Sequence, residues 1–391
     1  MSTDLKTSFR YLLYSRIFRS IALIYMSLAF SLYLVALHIS IINIGLVAAS
    51  TMLFMVFISL IFGIIGDRKG YKFELLIVEL ITFIGALIIA LSTSTIFIII
   101  GMIIGGLSSG AGGMRGAFSP GSNAYIANNY KDDKERVKKY SLISMTASLA
   151  SIVGSILFSS VSLLSSYVGL LNAYRYLFIL SSILLGISVI FIAMLYDSER
   201  PAKTTKIMKK SSMHYSLRVI ITNVFSGLGM GLVIPLLPLW FKLSYNASPL
   251  DIGIIFGAVY IATALGSFIS SKIAHKLDTL NIVIYTRTLN GLFLFFMALS
   301  PALFIAGLFY IIRAVIVAFG SPSRTTINVK GIDSEDYGAA TSVQGIAARI
   351  AQMSSGASGY LMDLALPLPI FIGALFQIAS SISYKVLFKK K

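Results

Sequence analysis

The chain has 391 residues, of which 57% are hydrophobic and only 12% charged; it contains no cysteine and carries a formal net charge of +17. A soluble domain carries roughly 25% charged residues, so the composition speaks against a soluble enzyme. The missing cysteines exclude disulfides, thiolate catalysis and cysteine-ligated metals, and the basic excess sits in short loops between apolar runs, which excludes nucleic acid as its partner.

Those apolar runs are continuous rather than alternating. A membrane-crossing backbone must satisfy its own hydrogen bonds, so continuous runs of about 20 residues read as transmembrane helices. Twelve spans are predicted, at roughly 17–38, 42–66, 73–92, 95–126, 139–165, 172–196, 217–242, 250–275, 280–299, 302–329, 337–362 and 367–387. The first run lacks a small-residue cleavage site and is read as a retained helix. Residues 1–196 and 217–391 form two six-helix bundles. Residues 197–216 between them, with Arg200, Pro201, Lys203, Lys206, Lys209 and Lys210, read as a cytoplasmic basic linker. With both termini inside, almost all Lys and Arg outside the membrane, Arg16 and Arg19 among them, fall at the cytoplasmic face, and only Arg175 and Lys242 fall outside. This bias orients a multi-pass plasma-membrane protein whose loops touch anionic lipid headgroups.

Between spans two and three lies Gly63-Ile64-Ile65-Gly66-Asp67-Arg68-Lys69-Gly70-Tyr71-Lys72, a predicted tight, charged turn. Asp67 is one of only 15 acids in the chain and stands where its charge opposes the dipole of its own helix, so it needs a partner. A weak internal repeat runs through the same region. Ser40-x-x-Asn43-Ile44-Gly45 opens span two and Ser248-x-x-Asp251-Ile252-Gly253 opens span eight, the latter with Ser248 as N-cap and Pro249 in the first turn. At the same offset, His275 replaces Asp67, Asp278 replaces Gly70 and Arg287 replaces Glu79. The three histidines, His38, His214 and His275, are too far apart for a metal site, and no nucleotide-binding or catalytic pattern is present; no cofactor and no enzymatic activity are expected.

The pattern G-x-x-x-D-R-x-G-x-[RK], carried by Gly63, Asp67, Arg68, Gly70 and Lys72, resembles the loop between helices two and three of the major facilitator superfamily. With twelve spans, a basic central linker and a two-fold repeat, the resemblance covers the whole chain. It implies two pseudo-symmetric six-helix bundles, a secondary transporter, and a small-molecule substrate moved by alternating access. The glycine-then-proline run 227–238 is similar to the first helix of the drug-exporter branch, but span five has only Gly154-Ser155 where that branch has a glycine-proline signature, and Gly106 stands where an early arginine of helix four is expected. By the resemblance, spans 1, 4, 7 and 10 surround the cavity, spans 2, 5, 8 and 11 join the halves, and spans 3, 6, 9 and 12 lie outside. It also implies that Asp67, the start of helix eleven and Arg115 form a cytoplasmic gate.

Within the cavity and joining spans the charged residues are Arg115, Arg313, Arg324 and Arg349, with no acid away from the helix ends. Charge inside a bilayer is costly and marks candidate sites. Arg313, Val317, Gly320 and Arg324 share one stripe, with the arginines ~16 Å apart. Gln352 lies one turn beyond Arg349, and Asn223 in span seven completes the candidate substrate set. Guanidinium groups grip carboxylate or phosphate in a two-pronged fashion, so an organic anion is the first substrate reading. A proton-coupled multidrug or cation exporter is the alternative, and a non-transporting membrane sensor a third. Small-residue stripes at Ser144, Ser148, Ser151, Ser155 and Ser159, and at Gly345, Ala348, Gln352, Ser355 and Gly359, are expected to let helices pack closely. Glu79 and Arg287 are expected to snorkel from outer helices, and Trp240 to be an interfacial anchor first and a cavity residue second. The expected partners are substrate and lipid bilayer, with proton coupling left open, and the protein is expected to be monomeric.

Overall fold

The computed structural model describes residues 3–107, 118–130, 132–196, 208–273, 277–333 and 336–388. All regular structure among them is helical. The helices are α1 (Thr3–Ala36), α2 (Ile41–Lys69), α3 (Tyr71–Leu91), α4 (Thr95–Gly105), α5 (Phe118–Asn129), α6 (Asp133–Val168), α7 (Leu170–Ala193) and α8 (Lys210–Val233). They continue with α9 (Leu237–Tyr245), α10 (Pro249–Ile273), α11 (Thr279–Ala298), α12 (Leu303–Val329), α13 (Tyr337–Gln352), α14 (Ser355–Leu364) and α15 (Leu368–Phe388). Ten of the helices are long and apolar enough to cross a membrane.

Several boundaries depart from the sequence reading. Helix α1 begins well before residue 17, because Phe9, Leu12, Arg16 and Arg19 recur at spacings of three and four and are all buried on one face. The predicted span four is occupied by α4 and α5, and residues 108–117, including Arg115, lie outside the described residues. Gly106 closes α4 in the left-handed region at φ 68°, which explains a glycine in that place. Span seven divides into α8 and α9; Pro235 can donate no backbone bond, and Pro238 restarts the helix in its first turn. Span eleven divides into α13 and α14 at Met353-Ser354, beside weak helix formers.

The charged turn after α2 is shorter than expected. Asp67, Arg68 and Lys69 belong to the last turn of α2, and the reversal falls on Gly70 alone, at φ 100° and ψ 149°. That backbone region is open essentially to glycine only.

The chain forms two compact units. The first comprises Met1–Ile39, Ser50–Thr204 and Ser248–Gly257, and the second Ser40–Ala49, Thr205–Ala247 and Ala258–Lys391. Inside the first, α1 packs on α6 and α7, and α3 on α4, α5 and α7; inside the second, α8 packs on α13 and α15, and α11 on α12 and α15. The first turns of α2 thus belong to the second unit and those of α10 to the first. Their repeat-related glycines explain this exchange. A Cβ on Gly45 would fall 2.9 Å from the Gly359 nitrogen and 3.0 Å from the Ser355 carbonyl, and a Cβ on Gly253 would strike the Ser159 hydroxyl and lie 2.8 Å from the Ser155 carbonyl. Both small-residue stripes are therefore packing seats. The serine hydroxyls of α6 bond to carbonyls of their own helix, as Ser148 does to Ser144 at 3.1 Å and Ser159 to Ser155 at 3.1 Å.

Candidate functional site

Each unit buries a charged cluster on its α3- or α11-type helix. In the first, Glu79 of α3 is wholly buried and ion-paired with Arg19 of α1, itself 2% exposed. Ser188 of α7 donates to the other Glu79 oxygen, and the Ser15 hydroxyl meets that of Ser188 at 2.9 Å. The Arg19 guanidinium also lies 4.2 Å from the Phe118 ring centroid of α5, and Arg16 is within electrostatic reach of Glu79. Three helices are tied by one carboxylate, whose charge a neighbouring cation balances. A buried ion pair tolerates its desolvation only when its remaining hydrogen-bonding capacity is met in this way.

In the second unit, Arg287 of α11 is 7% exposed. Its Nη1 donates to the Ser226 hydroxyl of α8 at 2.6 Å and to Gln377 Oε1 of α15 at 2.8 Å. Asn290 donates to the same Gln377 oxygen at 2.9 Å, while the Gln377 amide donates to the Ser226 carbonyl at 3.0 Å. This cluster also ties three helices, but every acceptor in it is neutral. Arg324 and Arg313 of α12 lie within electrostatic reach. Arg313 is 4% exposed, donates to Met230 Sδ at 3.2 Å, and stands 5.3 Å from the Tyr310 ring centroid.

The chain as a whole is recognisable. The sequence profile of the Major Facilitator Superfamily matches residues 12–356. The chain belongs to the Major Facilitator Superfamily. Among solved structures, it is similar to the POT family transporter PepTSo, at 13% identity and TM-score 0.77, covering 97% of each chain. It is also similar to a D-xylose-proton symporter, at 16% identity and TM-score 0.75, covering 97% of this chain and 96% of that one. A third similar structure is that of the nucleoside transporter NupG, at 15% identity and TM-score 0.73, covering 98% of this chain and all of the other. No curated protein sequence matches the chain.

In this superfamily member the residues singled out in the sequence fall into several groups. Of the loop motif, Gly63 and Lys72 are half-buried, Arg68 is exposed, and Gly70 is the buried turn residue. The Asp67 side chain, like Arg115, is outside the described part. Arg313 is buried, whereas Arg324, Arg349, Gln352 and Asn223 are half-buried. Arg313 and Arg324 lie within electrostatic reach of Arg287, which the sequence reading left on an outer, snorkelling helix.

Three expectations are overturned. Glu79 and Arg287 do not snorkel: both point into their own units, where helices on either side supply partners. Arg16 and Arg19, counted with the basic residues at the cytoplasmic face, are not exposed charges but sit buried within the long α1. Trp240 is not an interfacial anchor; it is 2% exposed, with ring contacts to Phe241 at 5.2 Å and Tyr245 at 5.3 Å. The exact offset of the repeat, which carries Glu79 onto Arg287, was the signal that both positions share one environment.

One further acid escaped the sequence reading. Glu74, in the first turn of α3, is buried against two glycines. A Cβ on Gly66 of α2 would collide with its carboxylate, and one on Gly121 of α5 would lie 2.9 Å from Glu74 Oε1. The second glycine-x-x-x turn of α2 is therefore shaped around this side chain.

Proposed function

We propose that the protein is a secondary transporter that moves a small organic anion across the plasma membrane by alternating access. The observation that carries the substrate charge is the set of arginines on α11, α12 and α13, with no acid inside these helices. A low-dielectric region with such a set has a positive potential and attracts anions. In this reading, α4 with α5, α8 with α9, and α13 with α14 each make one crossing, for twelve in total. Residues 1–196 and 217–391 are the transporting halves, 197–216 is the cytoplasmic linker, both termini are cytoplasmic, and the protein works as a monomer. Arg313, Arg324, Arg349, Gln352 and Asn223 contact substrate. Asp67, with Arg115 and the start of α13, closes the cytoplasmic side, and Gly63, Arg68, Gly70 and Lys72 shape that turn.

The deciding experiment is thermal stabilisation of the purified protein across organic anions, organic cations and neutral sugars, with Arg313→Ala and Arg349→Ala alongside. Anions are expected to stabilise the parent, and each variant to lose most of that response. Stabilisation by lipophilic cations alone, undiminished in both variants, would establish the exporter reading instead. That alternative draws on the glycine-then-proline run 227–238, which spans the break between α8 and α9. Against it, one of the two acids buried in α3, Glu79, is already paired with Arg19.

A further inference from the structure

The second unit buries cations without an internal counter-charge. Its acids are Asp278, Asp333, Glu335, Asp336 and Asp363; Asp278, Asp333, Asp336 and Asp363, which are described, each stand at a helix end or between helices. None lies in the interior of α8, α11, α12 or α15. A buried charge must be paired or it is strongly destabilising. In the first unit the repeat-equivalent position solves this internally, with Glu79 on Arg19. In the second unit Arg287 has only Ser226 and Gln377, whose neutral oxygens hold the guanidinium in place and leave its charge intact. Both bonds come from Nη1. Its Nε and Nη2 make no hydrogen bond among the described residues, and together they form the side-on edge that grips an oxyanion with two parallel bonds.

We propose that Arg287, positioned by Ser226 and Gln377, receives the oxyanion of the transported solute, a carboxylate or a phosphate. This rests on the anion reading above and names the group that takes the charge. Gln377 is the telling residue. A glutamate there would keep the acceptor for Arg287 and reproduce the closed ion pair of the first unit, so the neutral amide keeps the cation available. Arg313 and Arg324, which contact the substrate in the reading above, add positive potential around that group.

The test uses the full-length purified protein and four probes, sodium acetate, benzoate, succinate and inorganic phosphate, at constant ionic strength. Tetraethylammonium chloride and sucrose serve as controls. Binding is read from the concentration dependence of the thermal unfolding midpoint. The parent is expected to be stabilised by at least one anion, and which anions act separates carboxylate from phosphate. Arg287→Gln and Gln377→Glu are each expected to weaken that binding about tenfold or more, as loss of a charge-assisted bond does. Arg287→Lys is expected to recover only part of it. Should Arg287→Gln fail to fold, Gln377→Glu decides, since it keeps the acceptor for Arg287 and cancels the net charge, at the cost of the amide's bond to the Ser226 carbonyl. Anion binding undiminished in Gln377→Glu overturns the assignment of Arg287, even where Arg313→Ala still weakens binding. No response of the parent to any of the four anions overturns the anion reading itself.

Discussion

Glu79 on α3 and Arg287 on α11 occupy the same register of the internal repeat, are both buried, and carry opposite charge. Each joins three helices of its own unit. The first is closed on itself, because the carboxylate meets Arg19 and the hydroxyl of Ser188. The second is open, because the guanidinium meets an amide and a hydroxyl and no acid. A duplicated fold can thus use one position as a structural pin in one copy and leave its charge available in the other. What separates them is the partner supplied by the neighbouring helices, not the depth of burial.

The sharpest way to break this contrast is to remove each charge in turn. Glu79→Leu strands Arg19 beside Arg16 and is expected to cost about 3–5 kcal/mol of stability in denaturant unfolding, while the double variant Arg19→Leu/Glu79→Leu regains most of it. Arg287→Leu strands no opposite charge and is expected to cost only about 1–3 kcal/mol, the penalty for lost bonds to neutral groups. Equal losses from the two single substitutions would show that the clusters are equivalent pins.

Gly45 and Gly253 offer a second contrast, between the two exchanged helix starts. Valine at either place must push against backbone, of Ser355 and Gly359 in one case and of Ser155 in the other. Overpacking of this kind is expected to cost about 1–3 kcal/mol, and transport assayed in proteoliposomes should fall similarly in the two variants. Full activity in one of them would show that its stripe is not a working seat.

The smallest effects are expected at the turns. Gly70→Ala places a side chain at φ 100° and is expected to lose about 1–3 kcal/mol. Its repeat counterpart Asp278 has φ −66° and accepts a bond from the Asn281 amide at 2.9 Å, as an N-cap. Asp278→Ala is therefore expected to lose only about 1 kcal/mol. Unfolding midpoints of the two variants, measured side by side, should rank in that order; the reverse order would mean the two turns are not specialised as described.

Much of the site was not legible before folding, and the reason is specific. Arg287 and Glu79 look like snorkelling charges when helices are ranked as inner or outer, since such a ranking says nothing about which side of a helix faces its own bundle. Ser226 and Gln377 carry no signal at all, being ordinary polar residues far apart in the chain. Arg16 and Arg19 read as charges at the cytoplasmic face because hydropathy says nothing of the partners, such as Glu79, that other helices bring to α1. The N-cap at Ser248, by contrast, was visible in the residues, and the Asp251 amide does donate to the Ser248 hydroxyl at 3.2 Å.

The sequence by itself determined that this is a polytopic helical membrane protein of the Major Facilitator Superfamily, because span-length apolar runs and a local loop motif are properties of contiguous residues. It also determined the repeat, since the offset between copies is counted along the chain. The tertiary structure alone decided which charges are balanced. Pairing depends on what residues from distant helices bring within a few ångströms, and in a low-dielectric interior that proximity separates a cation held by a carboxylate from one whose charge remains available.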